Sequence, residues 1–434
     1  MQGIAALYDQ FRASASVSTD SRQAQTNTLF FALNGPTFRG VDFAPQALAQ
    51  GARHAVVDDA ALAAEHPEHY TYAADPLRTL QDLAQYHRRQ LRIPVLGITG
   101  SNGKTTTKEL IHAVLSRRFR VQYTRGNLNN HIGVPLTLLS IREEEHELAI
   151  VEMGANHRGE IELLSSIAEP THGLITNIGK AHLEGFGGQE GIAQGKAELF
   201  RFLAATGGTA FVNTLDARLV ELGAMVPQRV SYPAPSDTYP ATFVGATPHV
   251  SFRLPDNTLV EAHITGDYNF PNLAAAAAVG QHFGVPTLDI AEALASYAPT
   301  NNRSQLVRTS RNEVILDAYN ANPSSMAAAL RSFATRPGAS NANKVVVLGD
   351  MFELGEESPA EHQALGHLLA DLPFGMVVLI GPEMRMANSA FGAAHYFTTK
   401  AEAAAWLHAQ ALQGRQLLIK GSRGMGLETL LELV

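Results

Sequence analysis

Short apolar runs alternate with helical segments along most of the chain. Pro94 is followed by the apolar run 95–98, which leads directly into a Gly-rich turn and a helical segment. This alternation of strand and helix patterns predicts mostly parallel sheets covered by helices. Other strand-like runs lie at 148–151, 173–176 and 208–212, and two alternating segments that predict a β insertion lie at 249–254 and 258–264.

Breaks in this periodicity divide the chain into three predicted domains. Residues 1–92 alternate short strand-like runs with helical segments, and Pro and Asn interrupt the pattern at 297–302. Beyond that break, new apolar runs follow at 314–316, 344–348, 376–380 and 416–419. We therefore predict an α/β fold with domains at 1–92, 93–303 and 304–434.

Composition narrows the class of protein further. Of the 434 residues, 45% are hydrophobic and 17% are charged, which is typical of a packed globular protein. The chain contains 0 Cys, so disulfide scaffolds, thiolate zinc sites and cysteine nucleophiles are excluded. Its formal net charge of −8 and the lack of a Lys/Arg tract argue against a nucleic-acid partner. No leader-like segment and no run of about 20 apolar residues is visible, so we expect a cytoplasmic protein without membrane insertion.

The strongest chemical signal is a Gly-rich loop between the predicted strand at 95–98 and a helix. It reads Gly100-Ser101-Asn102-Gly103-Lys104-Thr105-Thr106. In a P-loop, backbone N–H groups surround a phosphate, the Lys reaches the terminal phosphates, and the next hydroxyl binds Mg²⁺. The general form has Gly where this chain has Ile98, and an ordinary strand-to-helix turn is the alternative. We interpret the loop as a nucleotide site.

A carboxylate at the end of another strand complements this loop. The run 148–151 ends at Glu152. Nucleotide hydrolases use such an acidic residue to hold the metal ion, more often Asp than Glu. The alternative is a strand-end carboxylate that faces solvent.

Several other segments gain meaning only from a family resemblance. The P-loop segment resembles the ATP site of the Mur ligase family, the amide-forming enzymes of peptidoglycan precursor synthesis. The segments 181–187 and 195–200 resemble the family's second metal site, 266–272 its adenine-binding segment, and 316–323 with Arg303 its hinge and C-terminal entry. The resemblance spans essentially the whole chain. From spacing alone, His182 is more often a hydrogen-bonding histidine and Lys196 more often a solvated helix lysine. Asn269 and Asn272 would cap a helix, and their amide groups could equally read the adenine edge.

The resemblance implies an ADP-forming amide ligase with ATP and two Mg²⁺ ions. Its small N-terminal α/β domain would bind a uridine nucleotide, its central P-loop domain ATP, and its C-terminal Rossmann-like α/β domain would close over ATP and bind the incoming dipeptide. The implied catalytic residues are Lys104, His182 and Lys196. The implied ATP-binding residues are 100–106, Asn269, Asn272, Arg303 and Asp317. The implied metal ligands are Thr105, Glu152, His182 and Lys196 as a carbamate, and the implied substrate residues are Ser21, Arg22, Asn129, Asn130 and Ser422.

Within the family, four segments are similar to members that join D-alanyl-D-alanine to UDP-N-acetylmuramoyl-tripeptide through an acyl phosphate. These segments are 127–135, 151–156, 317–323 and 349–355. The Asp-Asn-Pro-Arg motif of diaminopimelate-adding members is absent from the sequence. The resemblance thus implies these two substrates and a monomer. Two positions depart from the family pattern: Asn302 replaces the usual Gly before the hinge Arg, and Asn34 replaces a Lys that would help to bind the diphosphate.

Three alternatives stay open at this point. The chain could be a ligase of the same family that adds another amino acid. It could be a P-loop ATPase of a different class or a signalling GTPase, although the GTPase Asn-Lys-x-Asp motif is absent. It could also be a sugar-nucleotide-binding protein without catalysis.

Overall fold

The computed structural model describes residues 3–23, 26–338 and 340–434. The α-helices are α1 (Gly3–Arg12), α2 (Ala44–Ala49), α3 (Ala60–Glu65), α4 (Pro76–Gln90), α5 (Lys104–Leu115), α6 (Gly133–Leu139), α7 (Glu160–Ala168), α8 (Leu183–Phe186), α9 (Gln189–Lys196), α10 (Glu198–Thr206), α11 (Ala217–Gly223), α12 (Phe270–His282), α13 (Thr287–Ser296), α14 (Pro323–Thr335), α15 (Ser358–Ala370), α16 (Met384–Phe391) and α17 (Lys400–Gln410). The strands are β1 (Ser16–Ser18), β2 (Thr28–Phe31), β3 (Ala52–Val57), β4 (Tyr70–Tyr72), β5 (Val95–Thr99), β6 (Val121–Tyr123), β7 (Leu148–Glu152), β8 (His172–Ile175), β9 (Thr209–Asn213), β10 (Gln228–Tyr232), β11 (Thr242–Gly245), β12 (Ser251–Arg253), β13 (Leu259–Glu261), β14 (Gln305–Arg308), β15 (Glu313–Asp317), β16 (Lys344–Gly349), β17 (Met376–Ile380), β18 (His395–Phe397) and β19 (Gln416–Lys420).

The N-terminal part forms a four-stranded parallel sheet in the order β1-β2-β3-β4. Helix α4 connects this sheet to the rest of the molecule. It begins after Asp75, whose carboxylate accepts a hydrogen bond from Arg78 N, with Pro76 in its first turn. Its buried Arg88 donates to the carbonyl oxygens of Ala168 and Glu169, so the helix is tied to the end of α7.

The middle of the chain forms a six-stranded parallel sheet in the order β10-β9-β8-β5-β7-β6. Strand β5 is buried along its whole length and lies between β7 and β8. The strand order therefore reverses beside β5, which makes this place a topological switch point. In open α/β sheets, ligands bind at the carboxyl ends of the strands beside a switch point. The predicted β insertion is confirmed as an antiparallel sheet β11-β12-β13.

The C-terminal part forms a second six-stranded sheet in the order β14-β15-β19-β16-β17-β18. Only β14 runs antiparallel to its neighbour. The sheets with their flanking helices confirm the predicted α/β architecture. In the part of the chain that the structure describes, no helix has the length and apolar character needed to cross a membrane.

Candidate active site between the central and C-terminal sheets

The Gly-rich loop joins β5 to α5 at the switch point, and its backbone is held from the neighbouring strand β8. Gly100 and Gly103 adopt φ values of +144° and +78°. A Cβ on Gly100 would lie 2.0 Å from Thr176 Oγ1, so a side chain does not fit there. Thr176 Oγ1 donates to Asn102 O at 2.6 Å, and Ser101 N donates to Asn177 O at 3.0 Å. The loop is therefore fixed in shape before any ligand binds.

Lys104 starts α5 and bends back over this loop. Its Nζ donates to Gly100 O at 2.7 Å and to Ser101 O at 3.3 Å. Burial lowers the pKa of Lys104, while the negative charge of Glu152 opposes that shift. The ammonium thus lies where a P-loop lysine meets the terminal phosphates.

Glu152 ends β7 next to the first turn of α5. Its Oε1 accepts hydrogen bonds from Thr105 Oγ1 at 3.1 Å and from Asn129 Nδ2 at 2.8 Å. Lys108 Nζ lies 3.3 Å from Oε2, and both of these charged side chains are almost fully buried. The alternative of a solvent-facing carboxylate is therefore wrong. A hydroxyl and a carboxylate beside a phosphate loop are oxygen ligands that fit Mg²⁺.

A cavity of about 840 Å³ opens above the loop and is lined by both the central and the C-terminal parts of the chain. Most of the predicted site residues lie on its walls, namely Ser101, Asn102, Gly103, Lys104, Thr105, Thr106, Asn129, Asn130, Glu152, His182, Asn269, Asn272, Arg303 and Asp317. Within the described ranges, no group of three or more His, Asp or Glu side chains is placed to hold a metal ion.

The two asparagines at the start of α12 form a buried network and do not cap the helix. Asn272 Oδ1 accepts from Thr107 Oγ1 at 3.1 Å, and Asn272 Nδ2 donates to Asn269 Oδ1 at 3.0 Å. Asn269 Nδ2 in turn donates to Thr265 O at 2.7 Å. The helix-cap interpretation is therefore wrong, and the network ties α12 to α5 at the cavity wall.

Arg303 lies at the junction between the two halves of the cavity. Its guanidinium stacks over the Tyr319 ring at 3.6 Å. Asn302, the residue before it, has a φ of +57°. Gly adopts this left-handed conformation without strain, and Asn adopts it more readily than most other residues, which explains why Asn can replace the Gly of the family pattern. After Arg303, Ser304 N donates to Asp317 Oδ1 at 3.0 Å, and Asp317 Oδ2 forms an ion pair with Lys420 Nζ at 2.6 Å.

Lys196 is buried at the end of α9, and only 1% of its surface is exposed. Its Nζ donates to Ala155 O at 3.2 Å and lies 4.9 Å from the centre of the Phe186 ring. Burial holds the pKa of Lys196 well below its usual value, and the positive charge of Lys104 adds to this shift. The interpretation as a solvated lysine is therefore wrong. A lowered pKa favours the neutral amine, which is the form that carbamate formation requires.

His182 precedes α8 and faces the C-terminal sheet. Its Nδ1 lies 2.5 Å from Oε2 of Glu353, a residue that the sequence reasoning did not select. The contact with His182 holds the pKa of Glu353 below its usual value, and the charge of Lys104 adds to the effect. Glu353 and Lys108 could not be found from the sequence, because both act through partners far away along the chain.

Five predicted residues do not line the cavity, namely Ser21, Arg22, Gly100, Lys196 and Ser422. Lys196 lies directly behind the wall, because its Nζ donates to the carbonyl oxygen of the lining residue Ala155. Ser21 Oγ donates to Gln46 Oε1 at 3.0 Å, and exposed Arg22 forms an ion pair with Asp20 at 2.9 Å, both in the N-terminal sheet unit. Ser422 is buried, and its Oγ accepts from Phe352 N at 2.9 Å. Gly100 begins the loop, and its carbonyl oxygen accepts the hydrogen bond from Lys104 Nζ. Asn34, where the family pattern has Lys, donates to Asp58 Oδ2 at 2.8 Å.

Family models and relatives match the chain along its length. Residues 14–91 match the model "Mur ligase family, catalytic domain", residues 98–280 "Mur ligase middle domain", and residues 302–423 "Mur ligase, glutamate ligase domain". The UDP-N-acetylmuramoyl-tripeptide–D-alanyl-D-alanine ligase of Bacillus subtilis is 34% identical over 96% of this chain and 92% of its own length. The enzyme of that name from Escherichia coli is 35% identical over 95% and 92%.

Solved structures agree with these matches. A crystal structure of MurF from Acinetobacter baumannii superposes with a TM-score of 0.88 at 34% identity, over 99% of this chain and 97% of that one. MurF ligase from Thermotoga maritima, solved in complex with ADP, gives a TM-score of 0.84 at 25% identity, over 98% and 97%. This chain therefore belongs to the Mur ligase family.

Proposed function

We propose that this chain is an ADP-forming ligase that joins D-alanyl-D-alanine to the terminal carboxylate of UDP-N-acetylmuramoyl-tripeptide. The observation that carries the proposal is the cavity between the central and C-terminal sheets, because its walls combine the phosphate loop with Lys104 and His182. The buried Lys196 lies directly behind this wall, bonded to Ala155 O. The names of the relatives supply the substrates.

Each domain has a role in this proposal. Residues 1–92 would hold the uridine nucleotide, with Ser21 and Arg22 at the predicted position. Residues 93–303 would hold ATP through the phosphate loop, and residues 304–434 would close over it and receive the dipeptide. The Arg303–Tyr319 stack supports a shared ATP site, because it joins the two halves at the cavity wall. The Asp317–Lys420 ion pair lies on the C-terminal side of the same wall.

Phosphoryl transfer needs mainly positioning and charge stabilisation. Lys104 would bind the terminal phosphates of ATP, and Thr105 and Glu152 would hold one Mg²⁺. His182 and Lys196 would hold a second Mg²⁺, after the neutral Lys196 amine attacks CO₂ and loses a proton to give a carbamate. When bound, the two ions neutralise charge on the phosphates and on the substrate carboxylate, which would otherwise repel each other.

The enclosed shape of the cavity serves the second half of the reaction. Transfer of the γ-phosphoryl group to the tripeptide carboxylate gives an acyl phosphate and ADP. The free amine of D-alanyl-D-alanine then attacks the acyl carbon, a proton leaves the amine, and phosphate departs as the amide bond forms. Water competes with the amine, so exclusion of water by the closed walls favours the amide.

The test is phosphate release from ATP in the presence of UDP-N-acetylmuramoyl-tripeptide. We expect release to require both the nucleotide and D-alanyl-D-alanine, with single amino acids giving little. Rapid ATP hydrolysis without the uridine nucleotide would favour the ATPase alternative. Release with a single amino acid in place of the dipeptide would identify a different ligase of the family.

A further inference from the structure

The loop after β16 carries Glu353 on a rigid support. Its backbone is held from two sides, because Met351 N donates to His362 Nε2 at 3.1 Å and Phe352 N donates to Ser422 Oγ at 2.9 Å. Glu353 itself has a φ of +63°, a conformation that L residues rarely adopt. Strained backbone of this kind persists where the surroundings fix it, often at functional sites.

The same loop packs directly on the segment that begins with His182. A Cβ on Gly355 would lie 2.9 Å from Glu184 Cβ in α8, and Gly355 also has a positive φ of +55°. The two elements therefore meet without a side chain between them. This close approach places Glu353 Oε2 2.5 Å from His182 Nδ1.

We propose that Glu353 is a positioning residue for His182, supplied by the C-terminal domain, so that the second metal site is complete only when the two domains meet. A carboxylate accepts a hydrogen bond from one ring nitrogen, which fixes the tautomer and leaves the lone pair of the other nitrogen for a metal ion. Here Glu353 Oε2 lies at ion-pair distance from Nδ1, so a hydrogen bond formed between them would leave Nε2 for the metal ion. The inference rests on the proposed function, which assigns His182 to Mg²⁺.

Ser422 gains a role from this arrangement. It was predicted to contact substrate, but its hydroxyl accepts the Phe352 N–H next to Glu353. Ser422 thus supports the loop that presents the carboxylate. This hydrogen bond gives Ser422 a structural role in the Gly-rich segment after β19, and that role needs no contact with a ligand.

The experiment measures Mn²⁺ binding by electron paramagnetic resonance, with a non-hydrolysable ATP analogue and UDP-N-acetylmuramoyl-tripeptide present and no turnover. Glu353→Gln keeps the size of the side chain but removes its charge. We expect it to weaken the second, weaker-binding Mn²⁺ equivalent about 10-fold or more, which is the usual effect of losing such a partner. Glu353→Asp should recover part of the affinity. The control is Glu356→Gln, an exposed carboxylate in the same loop, which should bind Mn²⁺ as the wild type does.

A double-mutant cycle separates positioning from a general effect on charge. In a His182→Ala background, Glu353→Gln should change Mn²⁺ binding no further. Three results would overturn the inference. Glu353→Gln could bind Mn²⁺ as tightly as the wild type does, or it could lose the same Mn²⁺ affinity with His182 present and with His182→Ala. The wild type could also bind a single Mn²⁺ equivalent. A wild type that binds two Mn²⁺ ions but forms no amide would instead contradict the proposed function.

Discussion

Two lysines near the cavity differ in burial and in the charges that surround them. Lys196 is almost fully buried, whereas Lys104 is partly buried at the cavity wall. Burial lowers the pKa of both lysines; the carboxylate of Glu152 opposes the shift at Lys104, and Glu160 and Glu198 oppose it at Lys196, where the charge of Lys104 adds to it. The pKa of Lys196 lies well below its usual value, which favours the neutral amine that the proposed carbamate needs.

For Lys104, we expect Lys104→Ala to lower kcat by about 10³-fold or more, because it removes a charge aimed at the transferring phosphoryl group. The measurement is the steady-state rate of phosphate release with both organic substrates. Lys400→Ala, which removes a lysine bonded to Gly426 O away from the cavity, is the control and should stay near the wild-type rate. A loss below about 10-fold at Lys104 would mean that this loop does not hold the reacting phosphate.

For Lys196, we expect Lys196→Ala to abolish most activity, and small carboxylates to restore part of it. Acetate or formate can occupy the vacated space and supply the oxygen ligand that a carbamate would provide. The rate should rise with acetate concentration and saturate, whereas chloride at equal ionic strength should have no effect.

Lys344 offers a matched control, because it is equally buried but lies in β16, where its Nζ donates to Ala334 O. Activity of Lys344→Ala should not respond to acetate. Near wild-type activity in Lys196→Ala would show that no carbamate is needed.

At the scale of the elements, the buried strands could be predicted and the exposed edges could not. Strands β5, β7, β16 and β19 are buried along their whole length, so their continuous apolar runs are visible in the sequence. Strand β14 is half-exposed, begins and ends with polar residues, and pairs antiparallel with β15 at the edge of the sheet. The phosphate loop could also be predicted, because its residues are adjacent in the sequence. The contact between Glu353 and His182 could not be predicted, because it joins residues that lie far apart along the chain.

The hinge before β14 depends on one backbone conformation. Asn302 has a φ of +57°, which a β-branched residue adopts only at a cost of about 1–2 kcal/mol. We expect Asn302→Val to lower the free energy of unfolding by about that amount and to raise the KM for ATP, because Arg303 would move. Asn302→Gly should be tolerated in both respects.

The measurements are denaturant unfolding and steady-state kinetics. Arg308→Val, an exposed change to a β-branched residue inside β14, serves as the control and should leave the KM for ATP unchanged. Equal behaviour of Asn302→Val and Asn302→Gly would show that the positive φ at this position has no influence on the ATP site.

At the scale of the whole molecule, polar contacts join the central and C-terminal parts beside the cavity, next to a buried apolar cluster that includes residues of both parts. Asn322 Nδ2 donates to Asn102 Oδ1 at 2.7 Å, directly at the phosphate loop. Lys180 forms an ion pair with Glu361 at 2.6 Å, and its backbone N–H donates to Ser324 Oγ at 2.8 Å. Polar contacts of this kind contribute modestly to the stability of one domain arrangement. A ligand that binds both the central and the C-terminal part can therefore shift the relative position of the two domains.

We therefore expect the free protein to populate more open arrangements than the one described. Small-angle scattering should give a smaller radius of gyration with an ATP analogue and UDP-N-acetylmuramoyl-tripeptide together than with neither. Asn322→Ala should reduce this change, because it removes the contact at Asn102. An identical radius with and without ligands would count against domain closure.

The bond between Asn102 and Asn322 also has a kinetic consequence. While it is formed, it links the C-terminal part of the chain to the phosphate loop. We expect every catalytic cycle to include the breaking and re-forming of this link, so a variant with a tighter contact here would slow turnover by prolonging product residence.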